Sequence, residues 1–313
     1  MAQVFYMMVG LPGSGKTTMA RSIDDSLPFA PKLCIHSSDA IRLEVLGDEN
    51  DQTQQELVFD TLHKRVFEDL RAGNDVVYDA TNISYKHRRS FLHRLRGLHI
   101  ADLRTVCVFM ATPYETCLAY NRSRERVVPE SVIADMYRRF DVPMMAEGWD
   151  EIEVYGVPGY VDGCIDEKLC ALSNIAHDNP HHTLTIGQHC LAAWGYMVEQ
   201  YPKADVVLLR AALLHDIGKE RTKAFIDSHG APCETAHYYN HERIGAYESF
   251  CYTGDLSPED ALMVALLIRW HMAPFVVTKS DHPPKTEAKF KGLLGEEVWQ
   301  QIMVLNNCDR HAH

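Results

Sequence analysis

The sequence predicts an α/β domain built on a parallel sheet, followed by an all-α domain. Three observations carry this reading. An apolar strand at Val4–Val9 runs straight into Gly10-Leu11-Pro12-Gly13-Ser14-Gly15-Lys16-Thr17 and then a helix, the strand–loop–helix order that a phosphate-binding loop requires. From residue 166 onward the apolar spacing becomes almost wholly helical. Between the two, Gly156–Asp162 is rich in Gly, Pro and Val, which marks a junction. A length of 313 residues suits two cores, since single cores stop growing near ~250–300 residues. The expected division is residues 1–155, a linker at 156–165, and 166–313.

The first strand and its loop come first in the chain and in the argument. Glycines let successive N–H groups turn inward around phosphates, and the next helix points its positive end at them. Gly10, Gly13, Ser14, Gly15, Lys16, Thr17 and Thr18 therefore form the expected nucleotide-binding set. Lys16 is placed to reach the β- and γ-phosphates of ATP, and the Thr17 hydroxyl to hold Mg²⁺. The spacing does not fit the G-x-G-x-x-G turn of dinucleotide-binding folds.

The helix after the loop is expected from Lys16 to about Asp25, and a second strand at Leu33–Ser37 ends in Ser37-Ser38-Asp39. Ligands of parallel sheets sit at the carboxyl ends of strands, which puts Asp39 on the working edge. Arg42 follows one turn later. Glu56–Arg71 reads as an amphipathic helix with Leu57, Leu62, Val66 and Leu70 apolar. A buried strand at Asp75–Asp79 ends in Asp79-Ala80-Thr81-Asn82, a counterpart of the acidic motif that orders Mg²⁺. A strand at Arg104–Met110 leads to a helix opened by Thr112-Pro113, then to Arg122, Arg124 and Arg126, followed by Val127-Val128-Pro129-Glu130. Arginine suits a phosphate-gripping lid because its planar fork binds phosphate bidentately.

These residues together resemble the kinase domain of phage-type polynucleotide 5′-kinases, a P-loop NTPase fold, over roughly residues 1–155. The resemblance implies that Asp39 is the general base for a 5′-hydroxyl and that Arg42 contacts the acceptor's terminal phosphate. It also implies that one of Arg122, Arg124 or Arg126 stabilises the phosphoryl group in flight, with Arg122 and Arg126 the preferred pair.

The second half holds 12 of the 17 histidines, and histidine is the commonest metal-binding side chain. Helices are expected near 183–200, 203–217, 236–251, 257–271 and 294–310. His189, His215, Asp216, His241, His271 and Asp309 fall within them or at their ends. The most specific element is Leu213-Leu214-His215-Asp216-Ile217-Gly218-Lys219. His237 and His241, four apart on one expected helix face, compete for one inward position; His241 is preferred because Asn240-His241-Glu242-Arg243-Ile244-Gly245-Ala246 resembles a recurring HD-domain pattern. His181 and His182 read as loop residues, and His311 and His313 as tail.

This half resembles the HD superfamily of metal-dependent phosphohydrolases over about residues 166–313. The resemblance implies two divalent metals bridged by Asp216. His189, His215 and Asp309 would complete one site, His241 and His271 the other, and Lys219 would assist the phosphate. Mixed histidine and carboxylate ligands suit Mn, Fe, Co or Ni better than a closed zinc site.

Composition bounds the reading. A net charge of −12 excludes a protein that coats duplex nucleic acid but not one that grips a strand end. No run of about 18 apolar residues is present, so no membrane partner is expected. No secretory signal is visible. Nine cysteines without a C-x-x-C pair fit reduced thiols and a cytoplasmic location.

One domain that adds phosphate and one that removes it would run a futile cycle on a single metabolite. On opposite ends of a broken strand they cooperate. The expected function is an end-healing enzyme that phosphorylates 5′-hydroxyl ends and clears 3′-phosphate or 2′,3′-cyclic phosphate ends. Its expected partners are single-stranded or broken RNA, with DNA as the alternative, and a separate ligase. The competing readings are a small-molecule or nucleoside kinase fused to a nucleotide phosphohydrolase, and a kinase regulated by a nucleotide-sensing HD module.

Overall fold

The structure is a computed structural model that describes residues 3–26, 33–156, 164–179 and 183–312. Most of the expected linker, 157–163, lies outside the described residues, as do His181, His182 and His313. The chain divides into two compact units, one of Met1–Ile133 with Pro143–Gly156 and one of Ala134–Val142 with Val157–His313.

In the first unit, β1 (Val4–Val9), β2 (Leu33–Ser37), β3 (Asp75–Asp79), β4 (Arg104–Met110) and β5 (Glu151–Tyr155) form one sheet in the order β2-β3-β1-β4-β5. Every pairing is parallel. Near-continuous apolar runs explain this, because parallel strands are covered on both faces. Phe5, Met8, Val76, Val77, Val108 and Phe109 are fully buried. The edge strand β5, Glu-Ile-Glu-Val-Tyr, was not expected, since its alternating charge hides a strand signal.

The helices of this unit are α1 (Lys16–Ser26), α2 (Ser38–Leu46), α3 (Gln55–Arg71), α4 (Tyr85–Arg96), α5 (Tyr114–Arg122) and α6 (Glu130–Arg138), the last crossing into the second unit. In α3 the buried face is Val58, Leu62, Val66 and Leu70. Leu57, read as part of that face, is exposed, because the inward residues recur every four positions from Val58. Helix α4 is locked by a fully buried ion pair in which the Arg88 Nε and Nη2 groups donate to Glu147 at 2.7 and 2.5 Å.

The second unit contains α7 (Ile165–Leu172), α8 (Ile186–Gln200), α9 (Val206–Leu214), α10 (Lys219–Thr222), α11 (His241–Glu248), α12 (Pro258–Trp270), α13 (Ala273–Lys279), α14 (Pro283–Leu294) and α15 (Glu296–His311). Three N-caps set helix starts. Thr185 forms a reciprocal capping box with Gln188, Asp205 caps α9 through the Leu208 N–H, and Ser257 caps α12 through the Asp260 N–H. His311 ends α15 and stacks on Tyr196, so it belongs to the helix rather than to a tail.

The unit is not wholly helical. An antiparallel hairpin, β6 (Lys223–Ile226) and β7 (Pro232–Tyr238), interrupts it. Residues 236–238, expected to open a helix, are strand; the left-handed Asn240 then starts α11. The stretch Pro258–Lys279 is long and apolar enough by composition to cross a membrane, contrary to the expectation of no such segment. More than half of that window is buried, and it supplies core residues such as Val264, Leu267 and Ile268.

Candidate active sites

The first site is made where β1 meets α1. Gly13 and Gly15 adopt φ of +80° and +93°, and a Cβ on Gly13 would lie 2.2 Å from the Cys117 carbonyl oxygen. Only glycine meets both demands. The Asn82 side chain donates to the Met8 carbonyl at 2.8 Å, and the Gly10 N–H donates to the Thr81 carbonyl at 3.1 Å. The loop after β3 therefore buttresses the phosphate loop.

Lys16 is buried and donates to the Leu11 carbonyl at 2.6 Å. Burial lowers its pKa, while Asp79 pulls the other way. The Thr17 hydroxyl donates to Asp79 Oδ2 at 2.8 Å. Burial raises the Asp79 pKa, and Lys16 opposes that rise. A hydroxyl and a carboxylate held together in this way fit an oxygen-loving Mg²⁺, which Thr17 and Asp79 would hold. When bound, the ion would neutralise phosphate charge. An open cleft of about 530 Å³ is lined by Gly13, Gly15, Lys16, Thr17, Thr18 and Arg124, among others.

The register that pairs Ser37 with Asp79 brings Asp39 to the same sheet edge. Asp39 is half exposed and accepts from two arginines, Arg42 at 2.7 Å and Arg126 at 2.5 Å. Arg42 is almost buried and is steadied by Gln55, whose Oε1 accepts from its Nη2 at 3.2 Å. The Asp39 charge acts on both Lys16 and Asp79.

The three lid arginines separate. Arg126 sits on Asp39 and also donates to the Glu49 carbonyl at 2.9 Å. Arg122, one of the preferred pair, points to solvent and pairs with Glu130 at 2.6 Å. Arg124 lines the phosphate cleft, and its charge acts on Lys16 and Asp79. Spacing alone could not sort three residues distributed around the end of one helix.

The second site lies inside the helical unit. The Nε2 atoms of His189 and His215 are 3.2 Å apart, and Asp309 Oδ1 lies 2.9 Å from His189 and 3.5 Å from His215. The Nε2 atoms of His241 and His271 are also 3.2 Å apart. Asp216 stands between the pairs. Its Oδ2 is 3.5 Å from both His189 and His215, and its Oδ1 is 3.5 Å from His241 and 3.9 Å from His271. Two three-residue groups share it: His189, His215, Asp216 and Asp216, His241, His271.

The tautomers are set by the backbone. His189, His215, His241 and His271 each place Nδ1 against a carbonyl oxygen, those of Ala312, Ala212, Tyr238 and Ile268. A carbonyl only accepts, so each Nδ1 carries a hydrogen and Nε2 faces the cluster. Burial lowers the His271 pKa to about 4 and lowers that of His241 as well. Two bare Nε2 acceptors at 3.2 Å repel unless a cation lies between them. Burial alone would raise the Asp216 pKa, yet Lys219 and the imidazoles hold it well below the usual carboxylate range. The donor set fits two divalent cations. Asp216 would bridge them, His189, His215 and Asp309 would hold one, and His241 and His271 the other. When bound, such a pair would supply Lewis acidity toward a phosphate.

Local sequence explains the convergence. A Cβ on Gly218 would lie 2.1 Å from the His241 carbonyl oxygen, so this glycine allows α11 to approach the His215-Asp216 turn. Lys219 Nζ lies 2.6 Å from Asp216 Oδ2 and 3.3 Å from His177 Nε2. Lys219 thus leans on the bridging carboxylate from inside the site. His237, the competitor of His241, is on β7 and stacks on Tyr239 rather than sharing a helix face with His241.

Sequence reasoning missed His177. It is buried, packs edge-on against His189, and holds its Nδ1 to the Leu184 carbonyl at 2.7 Å. It lies in an irregular stretch before α8, where periodicity has no voice.

Among curated relatives, an L-seryl-tRNA(Sec) kinase from Methanococcus maripaludis is 25% identical over 152 residues, covering 46% of this chain and 55% of its own length. Protein kti12 from Schizosaccharomyces pombe is 24% identical over 151 residues, covering 45% and 52%. The chain thus spans about half the length of these relatives. Among solved structures, the Pnkp1/Rnl/Hen1 RNA repair complex matches at 20% identity over 43% of each chain, with a TM-score of 0.36. A gluconokinase from Sinorhizobium meliloti 1021 matches at 16% identity over 49% of this chain and 81% of that one, with a TM-score of 0.32. The family model described as AAA domain matches residues 5–143, and that described as HD domain matches residues 186–303. With the fold, these two matches mark a P-loop α/β domain within residues 5–143 and a mostly helical HD domain within residues 186–303.

Proposed function

We propose that this chain is a bifunctional enzyme that heals broken RNA ends. Its first domain phosphorylates a 5′-hydroxyl from ATP, and its HD domain removes a 3′-phosphate or opens and clears a 2′,3′-cyclic phosphate. The observation that carries the reading is Asp39, a half-exposed carboxylate flanked by Arg42 and Arg126 at the sheet edge that holds Lys16. A carboxylate takes the acceptor's proton, and two guanidinium groups beside it suit an acceptor that itself carries phosphate. An uncharged metabolite would not need them. Arg124, which lines the phosphate cleft, would meet the transferring group. A separate ligase would then join the healed ends, and the cytoplasm is the compartment proposed for the work.

A second reading follows from the relative whose name describes a seryl-tRNA kinase. In it, the acceptor is a hydroxyl carried on an RNA rather than the RNA's own 5′ end. One experiment decides. An RNA with 5′-hydroxyl and 2′,3′-cyclic phosphate ends and, in parallel, a seryl-tRNA are incubated with γ-labelled ATP and a divalent transition metal, and both termini of the RNA and the aminoacyl group are analysed. Label at the 5′ end with loss of the cyclic phosphate is the expected result. Label on aminoacylated tRNA alone would favour the second reading.

A further inference from the structure

The chain carries 43 acidic residues in 313, so about three would fall in an ordinary stretch of 22. Residues 80–101 contain none. They hold Lys86, Arg88, Arg89, Arg94 and Arg96, with His87, His93 and His99. This run is the loop after β3 and the whole of α4.

The structure sorts these charges. Arg88 is buried on Glu147 and fixes the helix. Arg94 lies over the Phe67 ring and donates toward His63 Nδ1 at 3.0 Å, and Arg96 donates to the Gly148 carbonyl. Lys86, His87, Arg89, His93 and His99 remain, and of these Lys86, Arg89 and His93 share a face of α4. All three are exposed, and among the described residues neither Lys86 nor Arg89 has an ion-pair partner. They sit at i, i+3 and i+7, one face of α4, as a stripe ~10 Å long at 1.5 Å per residue.

The stripe begins at a chosen place. Helix α4 starts six residues after Asp79, at the same edge of the sheet as Lys16 and Asp39. The loop that joins them is tied to β1 and the phosphate loop through Asn82 and Thr81. A strand whose terminal hydroxyl reached Asp39 would need a cationic surface for its next phosphates, on a chain whose net charge of −12 repels them elsewhere.

We propose that Lys86, Arg89 and His93 form a backbone track for the acceptor strand, binding the phosphates of a single-stranded polynucleotide behind its 5′ end. This rests on the end-healing reading and adds where the strand runs. Contacts of this kind carry affinity and salt dependence rather than sequence preference.

The test uses the full chain and the charge-reversed variant Lys86→Glu/Arg89→Glu, with Lys86→Gln/Arg89→Gln as a milder partner. Fluorescence anisotropy with an end-labelled 12-nucleotide RNA bearing a 5′-hydroxyl reads binding. Kinase assays compare that RNA with a nucleoside 3′-monophosphate as acceptors. We expect the reversed variant to bind the 12-mer about tenfold more weakly, with a log–log salt slope shallower by about 1.4 for two lost contacts. The preference for the 12-mer over the mononucleotide should fall by a similar factor, through KM rather than kcat. Unchanged affinity and slope in a folded variant would overturn the track while leaving the end-healing reading intact. A wild-type chain that binds the 12-mer, loses it in the variant, yet phosphorylates neither acceptor would keep the track and sink the kinase reading. Absence of any 12-mer binding by the wild type would overturn both.

Discussion

In the proposed function the phosphate loop and the histidine cluster serve the same end, a cationic grip on phosphate, by opposite routes. The loop is built from eight consecutive residues, Gly10–Thr17, closed by Lys16 and Thr17 at its own end. The cluster gathers side chains from three helices, α8, α11 and α15, and from the turns that follow two others, α9 and α12, with His189 and Asp309 separated by 120 residues in sequence. A local device needs only its own glycines and one strand to stand on. An assembled device needs the whole core of its unit, since every ligand is placed by a different element. The difference teaches that damage should spread differently. A change in the loop removes one interaction, whereas a change at the shared Asp216 removes both halves of the cluster together.

The sharpest way to break this comparison is the pair Lys16→Ala and Asp216→Ala. We expect Asp216→Ala to lower affinity for both transition-metal ions by more than about 100-fold and to abolish phosphate release from a 3′-phosphorylated oligonucleotide, with 5′ phosphorylation retained. Lys16→Ala should do the reverse, costing the kinase about 10³-fold or more and leaving metal content untouched. Metal analysis of the purified variants beside both activity assays reads each arm. Two ions retained in Asp216→Ala would refute the shared bridge. Within the same series, His241→Ala should lose one ion, and His237→Ala, stacked on Tyr239 and away from the cluster, should lose none.

The next effect tests the acceptor side of the local device. Asp39→Asn should lower kcat by ~10²–10⁴-fold and leave ATP affinity near that of the wild type. Near-normal turnover would remove Asp39 from the role of base.

A stability measurement asks how the buried support of the first unit compares with its surface. Arg88→Ala strands the fully buried Glu147 carboxylate and should destabilise the fold by about 3–5 kcal/mol, read as a lower denaturation midpoint. The exposed pair Arg122 and Glu130 should contribute under about 1 kcal/mol.

The smallest contrast sharpens the lid. Arg124→Ala should lower kcat by about 10²-fold, and Arg122→Ala should change it by less than about twofold. A larger loss in Arg122→Ala would return the lid role to the exposed arginine.

Much of the fold was legible where one physical signal dominates. Unbroken apolar runs marked β1, β3 and β4, and the loop motif declared its strand and helix. The edge strand β5 was hidden because alternating Glu, Ile, Glu and Val resembles a solvated segment. The β6–β7 hairpin was hidden because Thr-Ala-His-Tyr-Tyr continues the apolar and aromatic rhythm of a helix. That misreading put His237 and His241 on one face. A turn at Asn240, with φ of +63°, puts them on different elements.

The sequence by itself determined the chemistry available. The identity of the phosphate loop, the acidic residues Asp39 and Asp79 at or just past strand ends, and the metal-binding candidates, with His237 and His241 in competition, were readable from residue type and spacing, and resemblance to an HD pattern chose His241. These properties are local, because a backbone cradle or a His-Asp pair is made by neighbours in the chain. The tertiary structure alone decided which groups face which. It put Arg124 in the phosphate cleft, Arg126 on Asp39 and Arg122 in solvent, although the three lie within five residues. It brought His177 from an irregular stretch against Lys219 and His189. Helix α5 ends at Arg122, so Arg124 and Arg126 lie on irregular backbone where no periodic rule fixes direction, and only the packed neighbours decide where each side chain lands.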